Sequence, residues 1–527
     1  MNSSSKVLIV GGGLIGVDAY RIEVEVDCSG GIGQIQIVGL PDASVKESQE
    51  RVRAAIKSCS FLMPPGKKWV VNMAPADTRK EGPLYDLPIA VGILASTGLI
   101  NKEHTSKFWL VGELGLDGSV RAVTGILPIA IAAKEQGAAA IIVSQGNAEE
   151  ASLVDGLNVF AVSHLLQACL LLNEPDSLTP HQLNARANFE KRSRRFKQFA
   201  DLREVKGQVQ AKRALEIAAA GRHNLLMIGP PGSGKSMLAQ RLPGIMPPLS
   251  FEEALELTKL YSVAGLVTDR SSLVHDRPFR APHHTATAVG LTGGGANPKP
   301  GEISLSHKGV LFLDELTEFP RHHLETLRQP LETANIVISR AQQTITYPAS
   351  FLLVAACNPC PCGYKGDNVK FCVCTPSQAD KYWNRISGPL LDRIDLHVEV
   401  GRLKEDELAG VPEGNSSQEI RARVLKAVGR QRERLAGEPF HFNGQMTQKQ
   451  LTRHCRIDEE CRFLLARAVS QMGLSARAHD RILRISRTIA DLEGEKDISA
   501  LHLAEALRFR SRSDAYKGMF NPTAKIY

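Results

Sequence analysis

Residues 224–236 read NLLMIGPPGSGKS, and this stretch decides the fold. A short apolar run, strand-like in composition, ends in a glycine-rich loop. The loop runs Gly229, Pro230, Pro231, Gly232, Ser233, Gly234 and is followed by Lys235 and Ser236. This is G-x-x-x-x-G-K-[ST] spacing. Its backbone amides and the next helix N-terminus cradle phosphates. The lysine reaches the β/γ-phosphates, and the hydroxyl of Ser236 ligates Mg²⁺. A chance glycine loop is a poor alternative, because a partner motif lies further along the chain. Residues 309–319, GVLFLDELTEF, deliver Asp314 and Glu315 at the end of a buried apolar run. Asp314 suits Mg²⁺ coordination, and Glu315 suits orientation of an attacking water.

The chain has 527 residues, too many for one ordinary core, so two to four domains are expected. Hydrophobic residues make up 43% and the net charge is +8, which permits nucleic-acid binding without demanding it. No apolar run has the length of a membrane span, and no signal peptide is expected. Five of the ten cysteines are scattered, with no secreted-type framework, so a reducing, cytoplasmic setting is expected.

Residues 1–170 read as a mixed α/β domain and 171–200 as a linker. Residues 201–405 alternate helix and strand in the manner of a parallel sheet, with a Cys-rich insertion at 357–374. Residues 406–511 are helical, opened by a Ser416/Glu419 capping box, and 512–527 form a tail. The glycines of KVLIVGGGLIG (6–16) have dinucleotide-loop spacing. Beyond them Ile22, Val24 and Val26 alternate with charged residues, which is strand period and leaves no room for the helix such a loop needs. A glycine-rich turn between strands is expected there instead.

The Cys-rich insertion, CNPCPCGYKGDNVKFCVC (357–374), offers two C-x-C pairs, Cys360/Cys362 and Cys372/Cys374. Four thiolates are what a closed structural zinc site needs. Cys357 with Cys360 is a rival C-x-x-C pairing, and four reduced thiols or a redox switch are the alternatives to zinc. His283 and His284 in APHHT are read as structural polar residues beside the phosphate site, with metal ligation the alternative.

From LREVKGQ (202–208) to the end, the chain resembles the AAA+ ATPases, specifically the magnesium-chelatase-like group. That resemblance implies a three-layer α/β/α core with a C-terminal helical lid, using ATP and Mg²⁺. By the same resemblance Val205 and Gln208 lie near the adenine, and Asn358 in LVAACNPCPCG is a sensor of the lytic water. Arg393 in RISGPLLDRIDLHVEV is the arginine that reaches a neighbouring subunit's γ-phosphate, with Arg385 second. Arg477 is the sensor-2 arginine, with Arg481 second. More closely, VGLPDASVKESQERVRAAIK, NMAPADTRKEGPLYDLPIAVGILA, FRAPHHTATAVGLTGGG and KPGEISLSHKGVLFLDEL resemble signatures of the ComM/YifB family. Its members are described as ring-forming ATPases, and the resemblance implies a homo-oligomer, a hexameric ring, acting on single-stranded and branched DNA as a branch-migration helicase in natural transformation.

Residues 17–165 are similar to the Lon-protease catalytic domain, an α+β fold of the ribosomal protein S5 domain 2-like type. Leu84 stands where the nucleophilic serine would be, and the activating lysine's place falls close to Ile129, where no lysine stands, so no peptidase activity is expected. A β-hairpin before the sensor strand, ANIVISRAQQTITYPAS, is expected to carry Arg340, Gln342 and Gln343 to DNA phosphates. The loop TGGGANPKP is expected to carry Lys299 in the same way. The competing function is a magnesium-chelatase-type ATPase subunit for metal insertion; a non-catalytic ring is the third.

Overall fold

The computed structural model describes residues 6–31, 33–193, 199–267, 269, 273–295, 298–340, 343–367, 369–403, 414–438, 440–472 and 475–510. The chain divides into two compact units. One comprises residues 1–195 with 250–275; the other comprises 196–249 with the described residues from 276 onward.

Among the described residues, the first unit carries nine strands: β1 Val7–Ile15, β2 Asp18–Gly30, β3 Gln34–Val38, β4 Lys67–Ala74, β5 Phe108–Leu110, β6 Glu113–Leu114, β7 Val120–Arg121, β8 Ala140–Ser144 and β9 Asn158–Val162. Seven form one mixed sheet in the order β3-β4-β2-β1-β5-β8-β9, and β6 pairs with β7. Alternation in β2 buries Ile22, Val24 and Val26 completely, as its period-2 pattern requires. Gly11, Gly12 and Gly13 lie inside β1, not in a turn, and pair with Ile22, Arg21 and Tyr20. The reason is close packing. A Cβ on Gly12 would stand 2.3 Å from a methyl of Ile129, on the helix Ile126–Glu135. The connection to β2 falls at Gly16 and Val17, so no dinucleotide loop forms.

The helix Ala43–Ser58 opens on Asp42, whose carboxylate accepts from the Val45 amide at 2.8 Å, and it buries Val45, Val52 and Ile56. One helix of this unit comes from far along the chain. Phe251–Ala264 opens on a Ser250/Glu253 capping box and buries Leu257 and Leu260. It docks beside Ile126–Glu135: the Gly125 amide donates to the Ser262 carbonyl at 3.1 Å, and the Ser262 hydroxyl donates to Glu150 at 2.5 Å.

The second unit carries β10 Leu225–Ile228, β11 Phe279–Arg280, β12 Gly293–Gly294, β13 Lys299–Pro300, β14 Val310–Leu313, β15 Asn335–Arg340, β16 Gln343–Pro348, β17 Leu352–Cys357 and β18 Leu396–Glu399. Five strands form a wholly parallel sheet in the order β11-β14-β17-β10-β18. β10, β14 and β17 are buried along their whole length, as strands covered on both faces must be. The C-terminal helices Ser417–Arg434, Gln448–His454, Glu459–Met472, Ala476–Glu493 and Ala500–Arg508 come next. Ile420, Val424, Ile482, Ile485, Ile489 and Leu503 share one apolar core with Leu225, Met227, Val354 and Val398 of the sheet. The expected Ser416/Glu419 capping box opens the first of these helices. Among the described residues, no helix is long and apolar enough to cross a membrane.

Candidate active site

Parallel strands collect their carboxyl ends on one edge of a sheet, and ligands bind there. Here four strand ends converge. β10 runs into the phosphate loop, β14 into Asp314, β17 into Asn358, and β18 into Val400 and Gly401. The register makes them neighbours: Ile228 lies opposite Cys357, and Leu313 opposite Ala355. A cavity of about 390 Å³ results, lined by Pro231–Met237, Asp314, Glu315, Cys357 and Asn358.

The loop depends on its glycines. A Cβ at Gly229 would lie 2.1 Å from the Val400 carbonyl oxygen, and Gly232 and Gly234 hold φ of +76° and +93°. Gly234 then caps the helix Lys235–Ile245. Lys235 is buried. Its ammonium donates to the carbonyls of Gly229 at 2.7 Å and Pro230 at 3.0 Å, and approaches the Asn358 side-chain oxygen at 3.5 Å. Burial lowers its pKa, and the nearby acids Asp314 and Glu315 oppose that shift. The Ser236 hydroxyl donates to Asp314 at 2.5 Å. Hydroxyl and carboxylate thus converge on one point at the loop, which is the hard oxygen donor pair a Mg²⁺ held with nucleotide phosphates uses.

Glu315 stands beside Asp314 with φ of +51°, and its side chain is 56% exposed toward the cavity mouth. One carboxylate oxygen lies 3.2 Å from Nδ1 of His284. The pairing of β11 with β14 explains this. Phe279 lies opposite Val310 and Arg280 opposite Leu311. The same offset of 31 residues, continued past the strand ends, sets His284 opposite Glu315. His283 stacks on His284, with centroids 4.1 Å apart. These histidines sit by the phosphate site, and the contact of His284 with Glu315 is a pairing that composition alone does not show.

Gln208 caps the helix Val209–Gly221 and donates from its side chain to the Gly401 carbonyl at 2.7 Å and toward the Ser233 carbonyl at 3.5 Å. Val205 is buried nearby in sequence. Both therefore belong to the segment that backs the loop.

The candidate arginines do not line the cavity. Arg393 is paired with Glu332 and donates to the Pro389 carbonyl at 2.6 Å. Arg385 pairs with Glu318 at 2.9 Å. Arg477 is exposed in the first turn of Ala476–Glu493, and Arg481, one turn on, is buried against Asp395 at 3.2 Å. Among the described residues, Lys235 is the one cation in the cavity wall.

The thiols of Cys360, Cys362, Cys372 and Cys374 all lie within 4.8 Å of one another, and Cys357 is not in the group. Sulfur separations are 3.3 Å for Cys360–Cys362 and 3.6 Å from each of these to Cys372. Four sulfurs at about 2.3 Å from a tetrahedral zinc stand about 3.8 Å apart, so the donor set fits that ion in number, kind and spacing. No pair is at bonding distance. The knuckle packs on the phosphate loop: a Cβ at Gly363 would meet Pro231 at 2.7 Å.

The hairpin of β15 and β16 forms, with Arg340 paired to Gln343 in the ladder. Gln342 and the side chains of Arg340 and Gln343 lie outside the described residues. Lys299 is exposed on β13, which pairs with β12 into a second, two-residue ladder. The hydroxyl of Tyr347, on β16, donates to the Pro298 carbonyl at 2.7 Å, so the two hairpins are tied together. In the first unit Leu84 is buried in the turn Pro83–Tyr85, and Ile129 is fully buried. Lys80 is also fully buried, but its ammonium is engaged by the carbonyls of Thr78, at 2.8 Å, and Pro75.

Comparison with known proteins agrees with this geometry. Residues 201–408 match the family "Magnesium chelatase, subunit ChlI", residues 24–147 match "Subunit ChlI of Mg-chelatase", and residues 414–510 match its C-terminal domain. The Competence protein ComM of Haemophilus influenzae is 45% identical over 504 residues, 94% of this chain and 96% of that one. YifB of Escherichia coli is 42% identical over 94% of this chain and 95% of its own. This chain belongs to the ComM/YifB family. The ComM/YifB likeness is end to end, whereas the chloroplastic magnesium-chelatase subunit ChlI-2 of Arabidopsis thaliana is 23% identical over 44% of this chain. The parallel sheet and phosphate loop of this ComM/YifB member are those of a magnesium-chelatase-like AAA+ domain, a family that implies ATP and Mg²⁺.

Proposed function

We propose that this protein is an ATP-driven DNA motor that assembles as a homo-oligomeric, hexameric ring and promotes branch migration during the recombination that accompanies DNA uptake. The observation that carries the reading is a complete phosphate and acid set in a chain that matches a competence protein over 94% of its length. Metal insertion is the weaker reading, because the chloroplastic chelatase subunit is 23% identical over 44% of this chain, against 45% over 94% for the competence protein.

In this account the loop amides of Gly229–Gly234 and the ammonium of Lys235 hold the β/γ-phosphates, while Val205 and Gln208 back the adenine side. Ser236 and Asp314 would hold Mg²⁺, which neutralises phosphate charge when bound. Glu315 orients the attacking water, steadied by His284, and Asn358 fixes that water from the sensor strand. Among the described residues no guanidinium lines the cavity, so Arg393 of a neighbouring subunit supplies it, with Arg477 acting from the lid. Arg340, Gln342, Gln343 and Lys299 contact single-stranded and branched DNA through its phosphates. Cys360, Cys362, Cys372 and Cys374 would hold a structural zinc that fixes the knuckle against the phosphate loop. The first domain, Lon-protease-like in fold, serves assembly or DNA contact and not proteolysis, since Leu84 and Ile129 offer no nucleophile and no base.

Strand-displacement and branch-migration assays on forked and four-way DNA test the proposal. ATP-dependent product is expected, and its loss in Lys235→Ala. Absence of product on every substrate, with ATPase intact, would count against it.

A further inference from the structure

Arg393 sits in the turn between the short helix Gly388–Leu391 and β18, flanked by two acids. Asp392 precedes it and Asp395 lies two residues beyond it. Each acid faces an arginine from the C-terminal part of the chain, Arg481 on the helix Ala476–Glu493 and Arg510 just past the helix Ala500–Arg508. Arg481 Nε lies 3.2 Å from Asp395 Oδ1. Arg510 lies 3.7 Å from Asp392 and donates to the Ile394 carbonyl at 2.6 Å. The Phe509 carbonyl also accepts from the His397 amide at 2.8 Å, so the end of the helical domain is stitched along the start of β18.

The back of the same turn is held by the sheet. Asn224, just before β10, donates from its side chain to the Arg393 carbonyl at 3.0 Å and from its backbone to Asp395 at 3.2 Å. Its side-chain oxygen accepts from Leu353 on β17 at 3.0 Å. Asp395, Arg481 and Arg510 are all buried, at 8%, 8% and 5% exposure. Unpairing a buried charge is costly, so the turn cannot keep its shape if these helices move against the sheet.

We propose that Arg510 and Arg481 are positioning residues for Arg393, acting through Asp392 and Asp395. The arginine offered to a neighbouring site is thereby set by the C-terminal helices of its own subunit, the same helices that carry Arg477. Nucleotide state in one subunit is then passed to the next through one turn of chain. This rests on the reading that Arg393 acts in a neighbouring subunit.

Mixed oligomers test both claims separately. Lys235→Ala lacks a working site but keeps Arg393; Arg393→Ala keeps its site but lacks the arginine. Mixing the two regains ATPase if Arg393 works in trans, and no regain overturns that reading and this inference with it. Asp392→Asn is the chosen probe, since Asp392 is 41% exposed and the change keeps the side chain's shape while removing its charge. Asp392→Asn and Arg510→Gln each lower kcat about tenfold, with the KM for ATP within about twofold. Mixing either with Lys235→Ala regains activity as Arg393→Ala does, and mixing either with Arg393→Ala does not. The double change Asp392→Arg with Arg510→Asp recovers more activity than Asp392→Arg alone. If Lys235→Ala rescues Arg393→Ala but not Asp392→Asn, the acid acts on its own site and the inference is wrong.

Discussion

In the proposed mechanism Glu315 has two requirements that pull apart: it must reach into the cavity mouth, and it must hold still there. It follows the strand end with a left-handed φ of +51°, and it lines the cavity. His284 then restrains it at 3.2 Å. Replacing Glu315 by Gln keeps the shape and removes the charge. ATP binding is expected to survive while kcat falls by about 10² to 10⁴. His284→Ala is expected to lower kcat about tenfold with little change in KM, because it frees the carboxylate without touching phosphate contacts. Steady-state ATPase kinetics separate these outcomes; a change in KM alone would show that His284 serves binding. Lys235, Ser236, Asp314 and Glu315 were legible in the sequence because a phosphate site needs fixed spacing after fixed strands. The partner of Glu315 was not, since 31 residues separate it from His284 and only strand register joins them.

At the scale of elements, the Cys-rich segment is the clearest case of structure narrowing a choice. Spacing alone leaves Cys357 a possible ligand, but β17 holds it in the strand while four other thiols gather outside. The paired change Cys372→Ser with Cys374→Ser is expected to abolish stoichiometric zinc, as measured by elemental analysis. Nucleotide affinity should persist and coupling to DNA should weaken, because the knuckle leans on the phosphate loop through Gly363 and Pro231. Wild-type protein free of zinc would remove the metal from the account. The glycines of β1 teach the converse. Their spacing suggests a loop, yet Gly11, Gly12 and Gly13 are extended strand residues, and Gly12 is left bare so that Ile129 can approach. Glycine that permits a turn and glycine that permits contact look alike in one dimension.

At the scale of the whole molecule, one helix joins a unit out of chain order. The helix Phe251–Ala264 comes after the phosphate-loop helix in sequence but completes the first unit, burying Leu257 and Leu260 there. Its amphipathic pattern is visible in the sequence; its destination is not, because nothing local states which core an apolar face will join. A fragment of residues 1–195 is therefore expected to expose that docking face. Adding a peptide of residues 250–267 should raise its Tm, whereas the same peptide with Leu257→Ala and Leu260→Ala should do so much less, each truncation costing about 2–5 kcal/mol at a fully buried site. Equal Tm with either peptide would show that the helix is not needed by that core.

The central claim is that hydrolysis at this site is coupled to DNA. ATPase rate measured at low salt, with and without single-stranded or branched DNA, tests it most directly. The account predicts DNA binding that weakens as salt rises, and hydrolysis that is stimulated by DNA and absent in Lys235→Ala. ATP hydrolysis unchanged by any DNA, together with no DNA binding at low salt, would contradict it.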